Sequence, residues 1–89
     1  MADVDSNPDN PVIGDRAYSR SAAEVAACVS ACIEATQSTG IMSCAKHFPG
    51  HGHVAEDSHH ELPVCPLDEN TLRPDHLSPI AAAIAAGVA

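Results

Sequence analysis

The 89-residue sequence has almost no aromatic side chains, few bulky aliphatic ones and little positive charge. It contains one Tyr, one Phe and no Trp, and Leu, Ile, Val and Phe together account for 17 of its 89 residues. With a formal net charge of −8, such a chain lies near the border at which apolar burial no longer offsets the entropy of ordering. We therefore expect it to be part of a larger protein.

The shortage of basic residues and of long apolar runs excludes several kinds of partner. Four Lys and Arg residues stand against twelve Asp and Glu, whereas nucleic acids and anionic membranes both require a positive surface. No run approaches the roughly 18 apolar residues of a membrane span. The N-terminal residues MADVDSNPDNP have neither the basic nor the apolar region of a secretory signal. We therefore expect a cytoplasmic protein whose N-terminus is truncated in this sequence.

The four cysteines are not spaced like a disulfide framework. Cys28 and Cys32 lie four residues apart on a predicted helix, Cys44 ends an apolar run, and Cys65 follows much later. We expect small buried thiols in a reducing compartment.

Two segments in the first half have the periodicity of regular secondary structure. Ser21-Ala-Ala-Glu24 has the form of a capping box, which predicts that a helix begins at Ser21. Gly40 is a typical helix stop, and directly after it residues 41–45 form a short apolar run that predicts a buried strand. Between the cap and the stop, the apolar stripe with helical spacing comprises Val25, Cys28, Val29, Cys32, Ile33 and Thr36.

The second half predicts an extended segment and a further helix. Residues 62–67 are limited by prolines, a turn follows near 68–72, and a helix is expected from about Ser78 with Pro79 in its first turn. The order of loop, helix, strand, loop and helix predicts an α/β protein. In parallel α/β folds, site residues lie on loops that leave the carboxyl ends of strands. Here that loop is 46–63.

This loop, 46–63, holds five of the six histidines and the only lysine. Within it, Asp57-Ser58-His59 places a carboxylate two residues before an imidazole. The carboxylate can accept a hydrogen bond from one ring nitrogen while the other nitrogen faces a reactant, as a general acid/base requires. The same spacing also suits a turn with an exposed histidine.

Three basic side chains are candidates for ligand binding. Lys46 and His47 directly follow the predicted strand, a position typical of groups that bind a polar ligand, although a surface lysine beside a structural histidine is the alternative. Phe48, which we expect to be buried, begins a Pro- and Gly-containing turn. Arg16, in the first loop, either lies free on the surface or joins Lys46 and His47 in recognising hydroxyl or carboxylate groups.

Metal binding is a further possibility, because the loop contains His51, His53, Asp57, His59 and His60, all of them residue types that ligate metals. However, adjacent histidines on an extended segment point to opposite sides, and the sequence has no C-x-x-C pair. We therefore expect neither a metal nor another cofactor.

In their order, these motifs resemble those of the glycoside hydrolase family 3 β-N-acetylhexosaminidases of the NagZ type. The motifs are DVDSNPDNPVIGDRAYS, the helix, KHFPGHG and, four residues later, DSH followed by LP. The resemblance extends over nearly the whole chain. Family 3 β-glucosidases keep a KHF-like element but lack the DSH loop, so the hexosaminidase branch is the more similar one.

The resemblance implies an α/β fold of the (β/α)8 TIM-barrel type. Residues 1–89 would form one partial barrel domain: the end of strand 3, helix 3, strand 4 with its catalytic loop, and helix 4. It also implies retaining hydrolysis of terminal β-linked N-acetylglucosamine in peptidoglycan-derived glycans during peptidoglycan recycling. His59 would be the acid/base coupled to Asp57, while Lys46, His47 and Arg16 would bind the sugar.

Two residues of the family site have no counterpart in this sequence. The resemblance assigns the nucleophilic aspartate to a later strand, and a sugar-contacting aspartate to a position before Met1. We therefore expect an internal fragment that is inactive alone and needs the remainder of the barrel. Two alternatives stay open: a small histidine-loop module that binds a metal or a sugar without catalysis, and a truncated reading frame without independent function.

Overall fold

The computed structural model describes all 89 residues, and its regular elements are helical. The α-helices are α1 (Ala22–Gln37), α2 (Glu69–Leu72) and α3 (Ser78–Ala85). A single 3-10 turn spans Gly14–Arg16, and a wider π-type turn, Arg73–Leu77, connects α2 to α3. None of these helices combines the length and the apolar character that a membrane span requires.

Helix α1 begins and ends as the sequence predicts. The Ser21 hydroxyl caps it by accepting from the Glu24 backbone N–H at 3.5 Å. The Glu24 carboxylate does not complete the capping box, because it accepts from the Ser19 hydroxyl, and the Ser21 N–H also donates to Ser19 Oγ. At the other end Gly40 adopts φ +84° and donates to the Gln37 carbonyl, a left-handed conformation that favours glycine.

The core lies where one row of α1 meets α3 and the N-terminal segment. Its buried side chains belong to Ala2, Val4, Val25, Val29, Ile33, Ile80 and Ala83. The predicted stripe is therefore correct for its i, i+4, i+8 row. It is wrong for Cys28 and Cys32, which lie on the neighbouring row and are exposed. Cys44 and Cys65 are also free and exposed, so the expectation of buried thiols is wrong, because none of the four cysteines belongs to the core that α1, α3 and the N-terminal segment form.

The strand predicted at residues 41–45 does not form. Ile41 is 62% exposed and Met42 is 83% exposed, and no backbone–backbone hydrogen bond joins this segment to another one. Immediately after it, the Lys46 carbonyl accepts from the Ala2 N–H at 2.7 Å. A strand is defined by its ladder of hydrogen bonds to neighbours, and a single bond to the N-terminal segment does not make one.

In the second half of the chain, the last helix forms where the sequence predicts it, and the turn before it differs from its prediction. Residues 62–67 have no regular structure, and Leu62 is 86% exposed. The predicted turn near 68–72 is a helical turn instead, because the Asp68 carboxylate accepts from the Thr71 N–H at 2.9 Å and caps α2. Helix α3 begins at Ser78, with Pro79 in its first turn, as predicted.

Loop 46–63 is held against the N-terminal loop by amide side chains. The Asn10 amide nitrogen donates to the carbonyls of His51 at 2.7 Å and Val54 at 2.6 Å, while its oxygen accepts from the Ile13 N–H at 2.6 Å. The backbones also touch at Gly52, where an added Cβ would lie 1.9 Å from the Val4 carbonyl oxygen. The N-terminal loop thus positions the histidine-rich loop.

Candidate active site

Asp57 and His59 form the hydrogen-bonded pair that the sequence predicts. His59 Nδ1 lies 2.6 Å from Asp57 Oδ1, and the His59 backbone N–H donates to the same oxygen at 2.9 Å. A carboxylate only accepts hydrogen bonds, so Nδ1 carries the hydrogen and Nε2 is the ring nitrogen left for another partner. The side chain of His59 is 75% exposed, which leaves its ring accessible to a ligand.

The local hydrogen bonds also shift the acidity of Asp57. The His59 backbone N–H and then the His59 side chain hold the pKa of the Asp57 carboxyl below its ordinary value. His60 contributes less, because its Nε2 is 3.9 Å from Asp57 Oδ2. Because the Asp57 carboxyl stays ionised, it can accept the hydrogen bond from His59 Nδ1 and so orient the imidazole.

A second aspartate, Asp3, holds the other end of the loop. Its side chain is fully buried. Its Oδ2 lies 2.8 Å from His47 Nδ1 and accepts from the His47 backbone N–H at 2.9 Å, while its Oδ1 accepts from the His51 N–H at 2.7 Å. The imidazoles of His47 and His51 meet edge to face, with centroids 6.0 Å apart. The buried Nε2 of His51 has no hydrogen-bond partner.

A cavity of about 240 Å³ joins these two parts of the loop. His47, His51 and Ser58, the central residue of the DSH motif, all line it. Phe48 also lines it and is 74% exposed, so the expectation that Phe48 is buried is wrong: the ring borders the cavity and belongs to no core. The structure therefore brings the predicted sugar-binding histidine and the central residue of the DSH motif to one cavity, whereas Asp57 and His59 are not among the residues that line it.

The two predicted cations are less closely tied to this cavity. Lys46 is exposed and makes no ion pair. Arg16 is also exposed, and its guanidinium donates through Nε and Nη2 to the Val12 carbonyl. No hydrogen bond joins Arg16 to Lys46 or His47, and neither cation lines the cavity. Their predicted role in sugar binding remains a prediction.

The remaining histidines form a separate pair. His53 meets His76 edge to face with ring centroids 5.6 Å apart, and the Ser6 hydroxyl lies 3.2 Å from His53 Nδ1. Burial, and then the neighbouring His53, lower the pKa of His76. No group of three or more His, Cys, Asp or Glu side chains is arranged to hold a metal ion.

Sequence reasoning missed three polar residues of this region, namely Asp3, Asn10 and His76. Asp3 and Asn10 act on backbone groups more than 40 positions away along the chain, and no local spacing signals such a contact. The available signal was compositional: Asp and Asn are concentrated in the first ten residues, where we predicted only a loop.

The family comparison matches the whole chain. Residues 1–89 match the model described as the glycosyl hydrolase family 3 N terminal domain. The chain is 44% identical over 84 residues to a beta-hexosaminidase of Xylella fastidiosa, covering 94% of this chain and 25% of that protein. It is 40% identical over 84 residues to beta-hexosaminidase A of Pseudoalteromonas piscicida, covering 94% of this chain and 14% of the relative.

Solved structures give the same result. The chain superposes on a glycoside hydrolase family 3 beta-N-acetylglucosaminidase from Paenibacillus sp. with a TM-score of 0.95 and 44% identity, covering 98% of this chain and 16% of that one. It superposes on NagZ from Neisseria gonorrhoeae with a TM-score of 0.89 and 36% identity, covering 99% of this chain and 25% of that one. The chain thus spans a quarter or less of the length of these relatives.

Proposed function

Since the chain belongs to the glycosyl hydrolase family 3 N-terminal domain family, we propose that it supplies the acid/base half of a retaining β-N-acetylglucosaminidase site. The observation that carries this proposal is the 2.6 Å contact between His59 Nδ1 and Asp57 Oδ1. That contact leaves the exposed ring of His59 with one nitrogen, Nε2, for a reacting oxygen.

In this mechanism His59 transfers the proton in both steps. While the glycosidic bond breaks, Nε2 of the protonated ring gives its hydrogen to the leaving-group oxygen. In the second step the neutral ring accepts a hydrogen from the attacking water, as microscopic reversibility requires. Asp57 holds the ring through Nδ1 and stabilises its cationic form, because an adjacent carboxylate favours the protonated imidazole.

The proposed substrate is a glycan that ends in β-linked N-acetylglucosamine, derived from peptidoglycan. The names of the relatives support the sugar. We assign binding of the sugar ring to Lys46, His47 and Arg16. His47 has the strongest structural support of the three, because it lines the cavity that also contains Ser58.

We further propose that residues 1–89 form part of a (β/α)8 barrel, in which α1 is helix 3 and α3 belongs to helix 4. Residues 41–45 would then become strand 4 once neighbouring strands pair with them. Retaining hydrolysis also requires a nucleophile across the anomeric carbon from the acid/base. We assign it outside these 89 residues, and the chain alone should therefore be inactive.

The four exposed free thiols support a reducing compartment, and we propose a cytoplasmic location.

A segment exchange tests the proposal. In the Paenibacillus enzyme, residues 1–89 of this chain would replace the matching segment, giving a protein called the chimera below. The chimera should hydrolyse an aryl N-acetyl-β-glucosaminide, and the isolated chain should not exceed a buffer blank. As a control, His60→Ala should leave the chimera active, because His60 Nε2 is 3.9 Å from Asp57 Oδ2, beyond hydrogen-bond distance, and His60 has no part in the proposed proton transfer.

A folded chimera without activity would contradict the proposal. Activity of the isolated chain that disappears with His59→Ala would contradict the assignment of the nucleophile to another part of the protein. A carboxylate of the chain other than Asp57 would then have to act in its place, the next nearest in sequence to His59 being Glu61 and Glu56.

A further inference from the structure

Asp3 lies 44 residues before His47 in the sequence, yet its carboxylate is hydrogen-bonded to the ring of His47. Its side chain is fully buried, whereas the side chain of His47 is 33% exposed. The Nδ1 edge of the imidazole is therefore fixed from inside the protein, while the partly exposed side chain of His47 also lines the cavity of about 240 Å³.

Three N–H groups converge on the two oxygens of Asp3. Oδ2 receives the His47 backbone N–H at 2.9 Å and faces His47 Nδ1 at 2.8 Å, and Oδ1 receives the His51 N–H at 2.7 Å. Because Oδ2 is an acceptor, the ring nitrogen that faces it must carry a hydrogen. In the neutral ring, Nε2 then has no hydrogen and presents a lone pair.

From this geometry we infer that Asp3 is a positioning residue that fixes the tautomer of His47, so that Nε2 accepts a hydrogen bond from a hydroxyl of the sugar. The role of Asp3 towards His47 follows from the chain itself, whereas the sugar hydroxyl as partner rests on the proposed function. The two backbone bonds let the same carboxylate hold the turn 47–51, so the ring and its main chain are oriented together.

The chain provides a matched control for a purely structural role. Asn10 is also buried and also holds the histidine-rich loop, by donating to the carbonyls of His51 and Val54. Its side chain makes no hydrogen bond to His47. If Asp3 acted only by holding the loop, Asp3→Ala and Asn10→Ala would have similar effects on His47.

Nitrogen NMR of the 89-residue chain, labelled with ¹⁵N-histidine, tests the tautomer directly. The His47 signals are identified by their loss in His47→Gln. At a pH where this ring is neutral, the wild-type chain should show the hydrogen on Nδ1. Asp3→Ala should shift the ring towards the form with the hydrogen on Nε2, and Asn10→Ala should not. A wild-type ring with the hydrogen on Nε2, or the same change in both variants, would overturn the inference.

Kinetics of the chimera test the consequence for the sugar. Asp3→Ala should lower kcat/KM about tenfold, the effect of losing one oriented hydrogen bond, and Asn10→Ala should lower it less. Equal losses would refute the positioning role. An inactive wild-type chimera would count against the proposed function, while the tautomer measured in the 89-residue chain would still decide the role of Asp3.

Discussion

At the scale of single residues, Asp3 and Asp57 each accept a hydrogen bond from an imidazole, but in opposite surroundings. Asp3 is buried and binds the main chain at two further points, whereas Asp57 lies on an exposed loop and binds within its own DSH motif. The Asp57–His59 pair was predictable because its partners are two residues apart. The Asp3–His47 pair was not, since only folding brings its partners together.

The first prediction concerns the pH dependence of Asp57. Its pKa is lowered in the folded chain, so the interaction is fully present above the ordinary carboxyl value of about 3.9 and is lost as pH falls through the lower, folded value. Carboxyl ¹³C NMR should give a midpoint below 3.9 for Asp57. His59→Ala should raise this midpoint only in part, because the backbone N–H at position 59 is the larger cause and remains.

Asp68 is the internal control for this titration. Its pKa is also lowered, by the Thr71 backbone N–H, and its cap is independent of His59. The Asp68 midpoint should therefore be the same with and without His59. A shift of both carboxyls in His59→Ala would indicate a general change of the fold and would contradict the local origin of the Asp57 shift.

The second prediction concerns the backbone contact at Gly52. An alanine Cβ would lie 1.9 Å from the Val4 carbonyl oxygen, so the N-terminal segment would have to move away from the loop. Gly52→Ala should lower the free energy of unfolding of the chimera by about 3 kcal/mol in urea denaturation, the upper end of the usual cost of overpacking. An alanine Cβ at position 40 would meet no other atom, so Gly40→Ala should lower the free energy of unfolding only because of the positive φ, by about 1–2 kcal/mol. Equal costs would contradict the close contact.

At the scale of elements, the sequence predicted the two longer helices correctly, but the strand that it predicted does not form. The cap at Ser21 and the stop at Gly40 act through neighbours in sequence, which is why the limits of α1 could be predicted. A strand at residues 41–45 depends on partners that local sequence does not specify. The same limit explains why Cys28 and Cys32 are exposed although they belong to the predicted apolar stripe. Periodicity identified the apolar side of α1 but could not tell which of its two rows of side chains would be covered.

The third prediction tests that division of α1. Ile33 is buried against the core, and the adjacent Cys32 is exposed. Ile33→Ala should lower the free energy of unfolding of the chimera by about 2–5 kcal/mol, whereas Cys32→Ala should change it by less than about 0.5 kcal/mol. A large loss with Cys32→Ala, measured by urea denaturation, would show that this row of α1 is covered in the chimera.

At the scale of the whole molecule, the small core agrees with the composition. Only 14 of 89 residues are buried, and Met42, Leu62 and Val64 are among several large apolar side chains left exposed. Composition predicted this shortage correctly, and the motif order predicted the family. The barrel itself could not be tested by these residues, because a barrel closes only through pairing among all of its strands.

The fourth prediction follows from that small core. The 89-residue chain should have a free energy of unfolding below about 5 kcal/mol, the lower end for stable domains, and a broad thermal transition in calorimetry. The chimera, in which the apolar surface is covered, should unfold more sharply. A sharp two-state transition of the isolated chain above that value would identify it as a self-standing module.

The most direct test of the central claim, that His59 is the acid/base, uses the dependence on the leaving group. In single-turnover experiments with the chimera, His59→Ala should slow glycosylation only slightly for a nitrophenyl substrate, because nitrophenolate departs without a proton. It should slow glycosylation strongly for a natural disaccharide, whose alkoxide needs one. Asp57→Ala should show the same pattern in weaker form. If His59→Ala slowed glycosylation by both substrates equally, His59 would not be the acid.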